Sequence, residues 1–274
     1  MYNLEGKIAI VTGAAGQHGI GRAIALRLAS EGADVMVADL RDEPTNNWGG
    51  LSQVVDEIEQ LGRRAGGCAV DVTDAASVDQ MVGNAIAQLG KVDILVNNAG
   101  SKAGPDRVPV VELDEKIWDQ VMAVNARGTF LCSRAVARHL LERDQGGKIV
   151  NMASSAGKSG RARFSAYAAS KFAVIGFTQS LSLELAPHGI NVNAICPGLT
   201  DTERVFGMAS GLKPDDVTIE EYRDTLINEA SEKTPMGRIA QPEDIAKLAA
   251  YLASSQSDFM TGLALSVSGG LVMH

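Results

Sequence analysis

Near its start the chain places an apolar run, a glycine-rich loop and a helical pattern in direct succession, and this order restricts the fold more than any other feature. Residues 7–12 (KIAIVT) predict a buried strand, and residues 22–31 predict a helix. The loop between them, residues 13–21, contains four glycines. A second strand, predicted over residues 34–38, ends at Asp39. Such a unit is typical of dinucleotide binding, because glycines allow backbone N–H groups to approach a pyrophosphate at a helix N-terminus.

Asp39 also bears on which dinucleotide would bind. It stands near the position where such units place an acid that accepts hydrogen bonds from the ribose hydroxyls. A carboxylate there repels a 2′-phosphate and favours NAD over NADP, whereas Arg41 could reach that phosphate and favours NADP. The structural alternatives are a tight turn without ligand for the glycines and a strand-end cap for Asp39. The complete unit favours a bound ligand, and the acid favours NAD.

Strand and helix patterns alternate through the rest of the chain. Further strands are predicted over residues 64–70, 92–96, 148–152, 191–196 and 263–267. Further helices are predicted over residues 51–61, 75–89, 114–143, 165–186 and 242–252. The alternation predicts an α/β fold, in which residues 1–274 form a single-domain, Rossmann-like, doubly wound parallel sheet of about seven strands with helices on both faces. Residues 199–234 are polar and irregular apart from one helix signal, a capping box formed by Thr218 and Glu221. We expect this segment to form a substrate lid.

Composition excludes several classes of partner. The net charge of −8 indicates that the chain binds neither nucleic acid nor an anionic membrane surface. Three widely spaced cysteines, Cys68, Cys132 and Cys196, show neither metal-ligand spacing nor a disulfide framework. There is no signal-peptide pattern and no apolar stretch of membrane-spanning length. We therefore expect a cytoplasmic protein with reduced thiols and no metal site.

The helix predicted over residues 165–186 carries a pair of residues suited to proton transfer. Tyr167 and Lys171 are four residues apart, so they share one helix face. A phenol has an ordinary pKa of about 10, and a neighbouring ammonium lowers that pKa by favouring the phenolate. Such a tyrosine can exchange a proton with a substrate oxygen near neutral pH. Taken alone, the pair is explained better by a surface tyrosine packed on a lysine stem.

The flanking motifs change this interpretation, since together they resemble the short-chain dehydrogenase/reductase family over nearly the whole chain. The motifs, in the family's order, are the glycine loop, Asp71-Val72, Asn97-Asn98-Ala99-Gly100, Asn125, Ser154 with Tyr167 and Lys171, and Pro197-Gly198 followed by Thr202. The resemblance implies a nicotinamide dinucleotide cofactor and a small-molecule alcohol or ketone substrate. It implies cofactor contacts at Gly13, Gly19, Ile20, Gly21, Asp39, Asp71, Val72, Asn98, Ala99, Gly100, Tyr167, Lys171, Pro197, Gly198 and Thr202.

The resemblance also implies four catalytic residues. Tyr167 would be the acid and base at the substrate oxygen, and Lys171 would lower the Tyr167 pKa and bind the nicotinamide ribose. Ser154 would stabilise charge on the same oxygen, with Ser155 beside it as a competitor that the spacing to Tyr167 disfavours. Asn125 would hold a relay water together with Lys171. The structural alternative for Asn125 is a helix residue that bonds its own backbone.

The glycine loop departs from the family pattern by two extra residues, Gln17 and His18. His18 could contact a phosphate or be a solvated loop residue. On the substrate side, Lys158, Arg161 and Arg163 precede Tyr167 and could attract an anionic substrate, or they could be solvated charges on a loop.

The preferred function is an NAD-dependent oxidoreductase that transfers a hydride between the cofactor and a secondary alcohol or its ketone. One alternative is an NADPH-dependent carbonyl or 3-oxoacyl-thioester reductase. A second alternative, from another class, is a dinucleotide-sensing protein without turnover. The resemblance further implies a homo-oligomer, a tetramer or a dimer, with the Asn125 and Tyr167 helices at the subunit contact.

Overall fold

A computed structural model of the protein describes residues 2–40 and 48–274, so Arg41 lies outside the described residues. The strands are β1 (Ile8–Thr12), β2 (Asp34–Asp39), β3 (Ala65–Ala69), β4 (Ile94–Asn97), β5 (Gly147–Met152), β6 (Ile190–Pro197) and β7 (Ala264–Val267). They form one parallel sheet in the order β3-β2-β1-β4-β5-β6-β7. The expected seven-stranded, doubly wound parallel sheet is thus confirmed.

Helices cover both faces of this sheet. They are α1 (Ile20–Ser30), α2 (Gly50–Gln60), α3 (Ala75–Leu89), α4 (Glu115–Met122), α5 (Gly128–Arg143), α6 (Ser165–Leu185), α7 (Arg204–Leu212), α8 (Ile219–Lys233) and α9 (Pro242–Ala253). In β1, Ala9 and Val11 pack with α1, α2 and α9, whereas Ile8 and Ile10 pack with α3 and α5. Because both faces are covered, the strand is apolar at successive positions instead of alternating with polar residues.

The functional end of the sheet follows from its strand order. The chain winds outward from β1 to β3 on one side and from β4 to β7 on the other, so β1 and β4 are neighbours at a topological switch point. In open parallel sheets, ligands bind beyond the carboxyl ends of the strands at this point. The loops after β1, β4, β5 and β6 are therefore the ones that can build a site.

The prediction of one continuous helix over residues 114–143 is wrong, because the helix is interrupted near its middle. A π-helical turn, Ala123–Arg127, separates α4 from α5 and contains the buried Asn125. The Thr129 hydroxyl donates to the Asn125 carbonyl at 2.7 Å. A π turn changes the angular phase of the helix, and such turns occur frequently at functional sites. The hydrophobic periodicity of residues 114–143 resembles that of an ordinary helix, so the sequence does not reveal the π turn.

Residues 199–234 contain two helices, although the sequence indicated only one. The predicted capping box at Thr218 and Glu221 is present at the start of α8. The additional helix, α7, packs closely on the loop after β4, since a Cβ at Gly211 would lie 2.3 Å from the Gly104 carbonyl oxygen. A Cβ at Gly207 would similarly lie 2.6 Å from the Ala103 carbonyl oxygen. Two glycines one turn apart therefore bring α7 against this loop.

No helix within the described ranges combines the length and the hydropathy that a bilayer span requires.

Candidate active site

The glycine loop leaves the start of α1 open to an anion. No side chain of the described residues caps α1, and its first turn contains no acidic residue. A Cβ at Gly21 would lie 2.2 Å from the Gly13 carbonyl oxygen, so only glycine fits there. Gly13 itself has a φ of 68°, in the left-handed region. Gly19 precedes Ile20, the first helical residue, and the uncapped N–H groups of this turn can bind a phosphate.

A carboxylate of the protein already uses a donor of this loop. Glu203 Oε1 accepts a hydrogen bond from the His18 N–H at 2.7 Å. Its second oxygen would lie 3.5 Å from a Cβ at Gly16. The loop therefore binds an anion through its backbone, as a pyrophosphate would require, and the extra residue His18 contributes its N–H while its side chain is exposed.

The strand ends beside this loop carry the predicted polar residues. Asp39 accepts hydrogen bonds from the Ala15 N–H at 2.9 Å and from the Leu40 N–H at 2.7 Å. Asn98 donates through Nδ2 to the carbonyls of Thr12 and Gly13 at 2.9 and 2.8 Å. Asp39 and Asn98 therefore both contact the glycine loop, one from β2 and the other from β4.

The remaining predicted cofactor residues lie along the same edge of the sheet. The Ala99 N–H donates to the Thr12 hydroxyl at 3.1 Å, and Gly100 follows it. The Gly198 N–H, after Pro197, donates to the Val267 carbonyl at 2.9 Å. A cavity of about 340 Å³ is lined by residues that include Gly19 and Thr202.

Asp71 and Val72 follow β3. Asp71 Oδ1 accepts hydrogen bonds from the Thr73 N–H and hydroxyl at 2.8 and 2.7 Å. Val72 is buried, and a Cβ at Gly128 would lie 2.8 Å from Val72 Cγ2. Val72 therefore packs closely against the start of α5.

Ser154 and Lys171 reach Tyr167 because two backbone segments approach closely. Gly157, three residues after Ser154, lies against α6, since a Cβ there would be 2.8 Å from the Lys171 carbonyl oxygen. The Ser154 hydroxyl is near enough to the Tyr167 phenol to lower its pKa. The Lys171 ammonium lies 5.8 Å from the centroid of the Tyr167 ring and donates to the Met152 carbonyl at 2.7 Å. The structure thus brings these three predicted residues together.

Asn125 joins two parts of the site through its side chain. Its Oδ1 accepts from the Ser101 N–H at 2.8 Å, and its Nδ2 donates to the Ser170 hydroxyl at 2.9 Å. The Ser170 hydroxyl in turn donates to the Tyr167 carbonyl at 2.7 Å. The side chain therefore ties the loop after β4 to α6, and the implied role of Asn125 in holding a relay water stays a prediction.

The pKa of the Tyr167 phenol is lowered from its ordinary value. Burial has the largest single influence and raises this pKa, but the positive charges of Arg204, Lys171 and Arg107 and the Ser154 hydroxyl together outweigh it. Burial lowers the pKa of Lys171, and the neighbouring Arg204 lowers it further, whereas Tyr167 raises it. The expected effect of Lys171 on Tyr167 is present, but Arg204 has the larger influence.

Arg107 and Arg204 were missed from the sequence. The Arg107 guanidinium lies 4.9 Å from the centroid of the Tyr167 ring and 4.0 Å from that of Phe164, and it forms a buried ion pair with Asp106. The Arg204 guanidinium lies 4.8 Å from the Tyr167 centroid. One arginine comes from the loop after β4 and the other begins α7. The local sequence does not identify either arginine as a site residue, because neither has a fixed spacing to Tyr167.

The basic residues that the sequence did suggest lie elsewhere or make other contacts. The Lys158 ammonium donates to the Ala264 carbonyl at 2.6 Å and to the Ser266 hydroxyl at 3.0 Å, both on β7. Arg161 is exposed, and Arg163 lies 3.5 Å from the Gly211 carbonyl oxygen. The Lys158 ammonium therefore bonds to the edge strand β7, and the positive charge beside Tyr167 comes from other parts of the chain.

Comparisons with known proteins identify the family to which the chain belongs. Residues 13–272 match a family model described as enoyl-(acyl carrier protein) reductase. A short-chain dehydrogenase/reductase of Armillaria gallica is 39% identical, over 98% of this chain and 97% of that protein.

Two solved structures share the fold of this chain. Carveol dehydrogenase from Mycobacterium avium, in complex with NAD, has a TM-score of 0.88 at 29% identity and covers 99% of both chains. A variant of actinorhodin polyketide ketoreductase with NADPH has a TM-score of 0.86 at 36% identity and covers 97% of both chains. The chain belongs to the short-chain dehydrogenase/reductase family, whose members here are nicotinamide-dependent alcohol dehydrogenases and ketone reductases.

Proposed function

We propose that the protein is an NAD-dependent dehydrogenase of secondary alcohols, with Tyr167 as the acid and base at the substrate oxygen. The observation that carries this proposal is the convergence of Arg204, Lys171 and Arg107 on the Tyr167 ring, since these charges together with the Ser154 hydroxyl lower the pKa of the phenol. A phenol with a lowered pKa is an efficient base closer to neutral pH, and strongly perturbed groups of this kind cluster at functional sites.

The proposed proton transfer uses residues of this chain only. In the oxidative direction, the Tyr167 phenolate takes the proton of the substrate hydroxyl, and the Ser154 hydroxyl donates to the developing oxygen charge. Lys171, anchored on the Met152 carbonyl, stays beside the phenol and favours its deprotonated form. The bound nicotinamide would accept or supply the hydride, which is chemistry of the cofactor itself. In the reductive direction Tyr167 returns the proton.

We assign cofactor binding to the residues that line the carboxyl edge of the sheet. They are Gly13, Gly19, Ile20, Gly21, Asp39, Asp71, Val72, Asn98, Ala99, Gly100, Tyr167, Lys171, Pro197, Gly198 and Thr202. The best support is the glycine loop, whose backbone N–H already binds the Glu203 carboxylate. A cofactor pyrophosphate would take the place of this carboxylate at the loop.

Asp39 is the proposed determinant of NAD over NADP. Its carboxylate is held in position by the N–H groups of Ala15 and Leu40. Arg22, at the start of α1, forms a bidentate ion pair with Glu57, with both N–O distances at 2.8 Å. The carboxylate at Asp39 would therefore repel a 2′-phosphate without competition from Arg22.

Asp39→Asn should reduce the preference for NAD over NADP by about tenfold or more, since one charge repulsion is removed. The measurement is the dissociation constant of each cofactor by titration calorimetry, at low and high salt. Asp56→Asn, on the adjacent α2, removes one negative charge and should leave the preference unchanged. Equal affinities of the two cofactors for the unaltered protein would contradict the assignment.

The proposed activity is tested by a screen of secondary alcohols with NAD and of the matching ketones with NADH, read as reduced-nicotinamide absorbance. Oxidation or reduction of at least one matched pair is expected. Cofactor binding without turnover of any pair would instead support the alternative of a dinucleotide-sensing protein.

We also propose that the protein is a homo-oligomer through α5 and α6. Phe130 and Phe172, one on each helix, are 40% and 47% exposed, so both helices present apolar surface to a second subunit. Phe172→Glu should lower the sedimentation coefficient of the protein by separating subunits, with the folded circular dichroism spectrum retained. Sedimentation of the unaltered protein as a monomer would contradict this proposal.

A further inference from the structure

The pocket around Tyr167 contains more positive charge than the proposed proton transfer needs. Three cations surround the phenol ring: Arg107, Arg204 and Lys171. Arg107 is neutralised by Asp106, with which it forms a buried ion pair. Within the described part of the chain, neither Arg204 nor Lys171 forms an ion pair with a carboxylate. The Tyr167 phenolate that oxidation requires balances one of these two charges, so one positive charge is left uncompensated beside the position of the substrate.

Two polar atoms at the same place also lack hydrogen-bond partners. Arg204 Nη1 donates to the Ser101 carbonyl, which fixes the guanidinium on the loop after β4. Arg204 Nη2 and Ser101 Oγ are both buried, and no partner for either exists among the described residues. Ser101 is 6% exposed. Because an unpaired buried donor is unfavourable, this pair of donors is suited to an acceptor that arrives with a ligand.

A carboxylate matches this donor pair in both charge and hydrogen-bonding capacity. It offers two acceptor oxygens to the donors Arg204 Nη2 and Ser101 Oγ, and its charge is opposite to that of the uncompensated cation. A neutral hydroxyl satisfies the donors without balancing the charge. The chemistry of the pocket therefore favours a substrate that carries a carboxylate over a neutral alcohol.

We propose that Arg204 and Ser101 bind a carboxylate of the substrate, so that the enzyme acts on a hydroxy acid and the corresponding keto acid. This inference rests on the proposed function and specifies its substrate class. Because the guanidinium lies over the Tyr167 ring, the carboxylate must be only a few bonds from the carbinol carbon. Hydroxy acids with the hydroxyl at carbon 2, 3 or 4 have this spacing.

The packing of α7 fixes the position of Arg204. Arg204 is the first residue of α7, in which Val205 and Ala209 are buried. Gly207 and Gly211 bring α7 against residues 103–104, and the Arg204 guanidinium thereby lies over the Tyr167 ring.

The experiment compares each hydroxy acid with its own primary amide, which has nearly the same shape and no charge. The probes are 2-, 3- and 4-hydroxy acids of five or six carbons with a secondary hydroxyl, assayed with NAD on the alkaline plateau, where Tyr167 is deprotonated in every variant. We expect at least one acid to exceed its amide in kcat/KM by about 10- to 100-fold, the range of a charge-assisted hydrogen-bond pair.

Arg204→Gln should remove this preference mainly by raising the KM of the acid. The loss of the Arg204 charge beside Tyr167 affects acid and amide alike, so it cancels in the acid-to-amide ratio of kcat/KM. Arg204→Lys keeps the charge and should restore part of the preference, which a merely structural role of the side chain would not explain. Lys213→Gln is the control, because it removes a cation from the same lid at a position where the ammonium donates to the Pro214 carbonyl.

The outcomes separate the inference from the function on which it rests. Equal kcat/KM for acids and amides, or turnover of neutral alcohols alone, would overturn the carboxylate site and leave the alcohol dehydrogenase in place. Absence of turnover for acids, amides and neutral alcohols would overturn both. An unchanged preference in Arg204→Gln would show that another group recognises the acid and would also overturn the inference.

Discussion

Tyr167→Phe should lower kcat for alcohol oxidation by about 100- to 10,000-fold, the range that general acid–base catalysis contributes. Phenylalanine keeps the ring, so its contacts with Arg107, Arg204 and Phe164 can persist. Only the hydroxyl that exchanges the proton is removed. The measurement is steady-state turnover of the best substrate from the screen, together with the cofactor dissociation constant, which should change by less than about tenfold because one hydrogen bond is lost.

Tyr251→Phe is a matched control for this loss. Tyr251 lies on α9, and its hydroxyl donates to the Gln256 carbonyl at 3.2 Å, away from the carboxyl edge of the sheet. Removing that hydroxyl should leave kcat unchanged. A Tyr167→Phe protein that keeps more than about a tenth of the wild-type kcat would rule out the phenol as the proton acceptor.

Lys171→Met should have the second largest effect, and its size should depend on pH. Removing the ammonium takes away one of the charges that lower the Tyr167 pKa, so this pKa rises. Oxidation requires the phenolate, and the rising limb of the kcat profile should therefore move to higher pH. At pH values below this limb the rate falls about tenfold for each unit of the shift. Activity should recover in part at alkaline pH, whereas that of Tyr167→Phe should not.

Lys148→Met tests whether loss of any partly buried lysine produces the same result. The Lys148 ammonium bonds to Asn191 at 2.7 Å and to Asp258 at 2.6 Å, at the start of β5 and thus at the opposite end of the sheet. This variant should lose some stability without a shift of the pH profile. A Lys171→Met profile that coincides with that of the wild type would show that Lys171 does not tune Tyr167.

Local patterns were sufficient where one segment decides its own structure. The helix predicted over residues 75–89 coincides with α3, because its apolar spacing and the Asp74 cap are contained in the segment. The capping box of α8 is a similar case. The break between α4 and α5 was not predictable in this way. The π turn is associated with contacts of Asn125 to Ser101 and Ser170, which are distant in sequence.

Some residues of the site could likewise be predicted from the sequence, and others could not. Ser154, Tyr167 and Lys171 could be proposed from the sequence because their order and spacing resemble the motifs of the short-chain dehydrogenase/reductase family. The convergence of Arg107 and Arg204 on Tyr167 could not, since each comes from a loop or lid whose position depends on packing with other segments.

The sequence by itself therefore predicted the parallel sheet and the glycine loop, because short-range periodicity and spacing specify them, and its resemblance to the family supplied the candidate proton-transfer residues. Only the tertiary structure decided the charge around Tyr167, its lowered pKa and the uncompensated Arg204. The physical reason is that electrostatic interaction depends on the distance through space between charges and on their burial. Neither the distances between charges nor their burial can be derived from the order of residues along the chain.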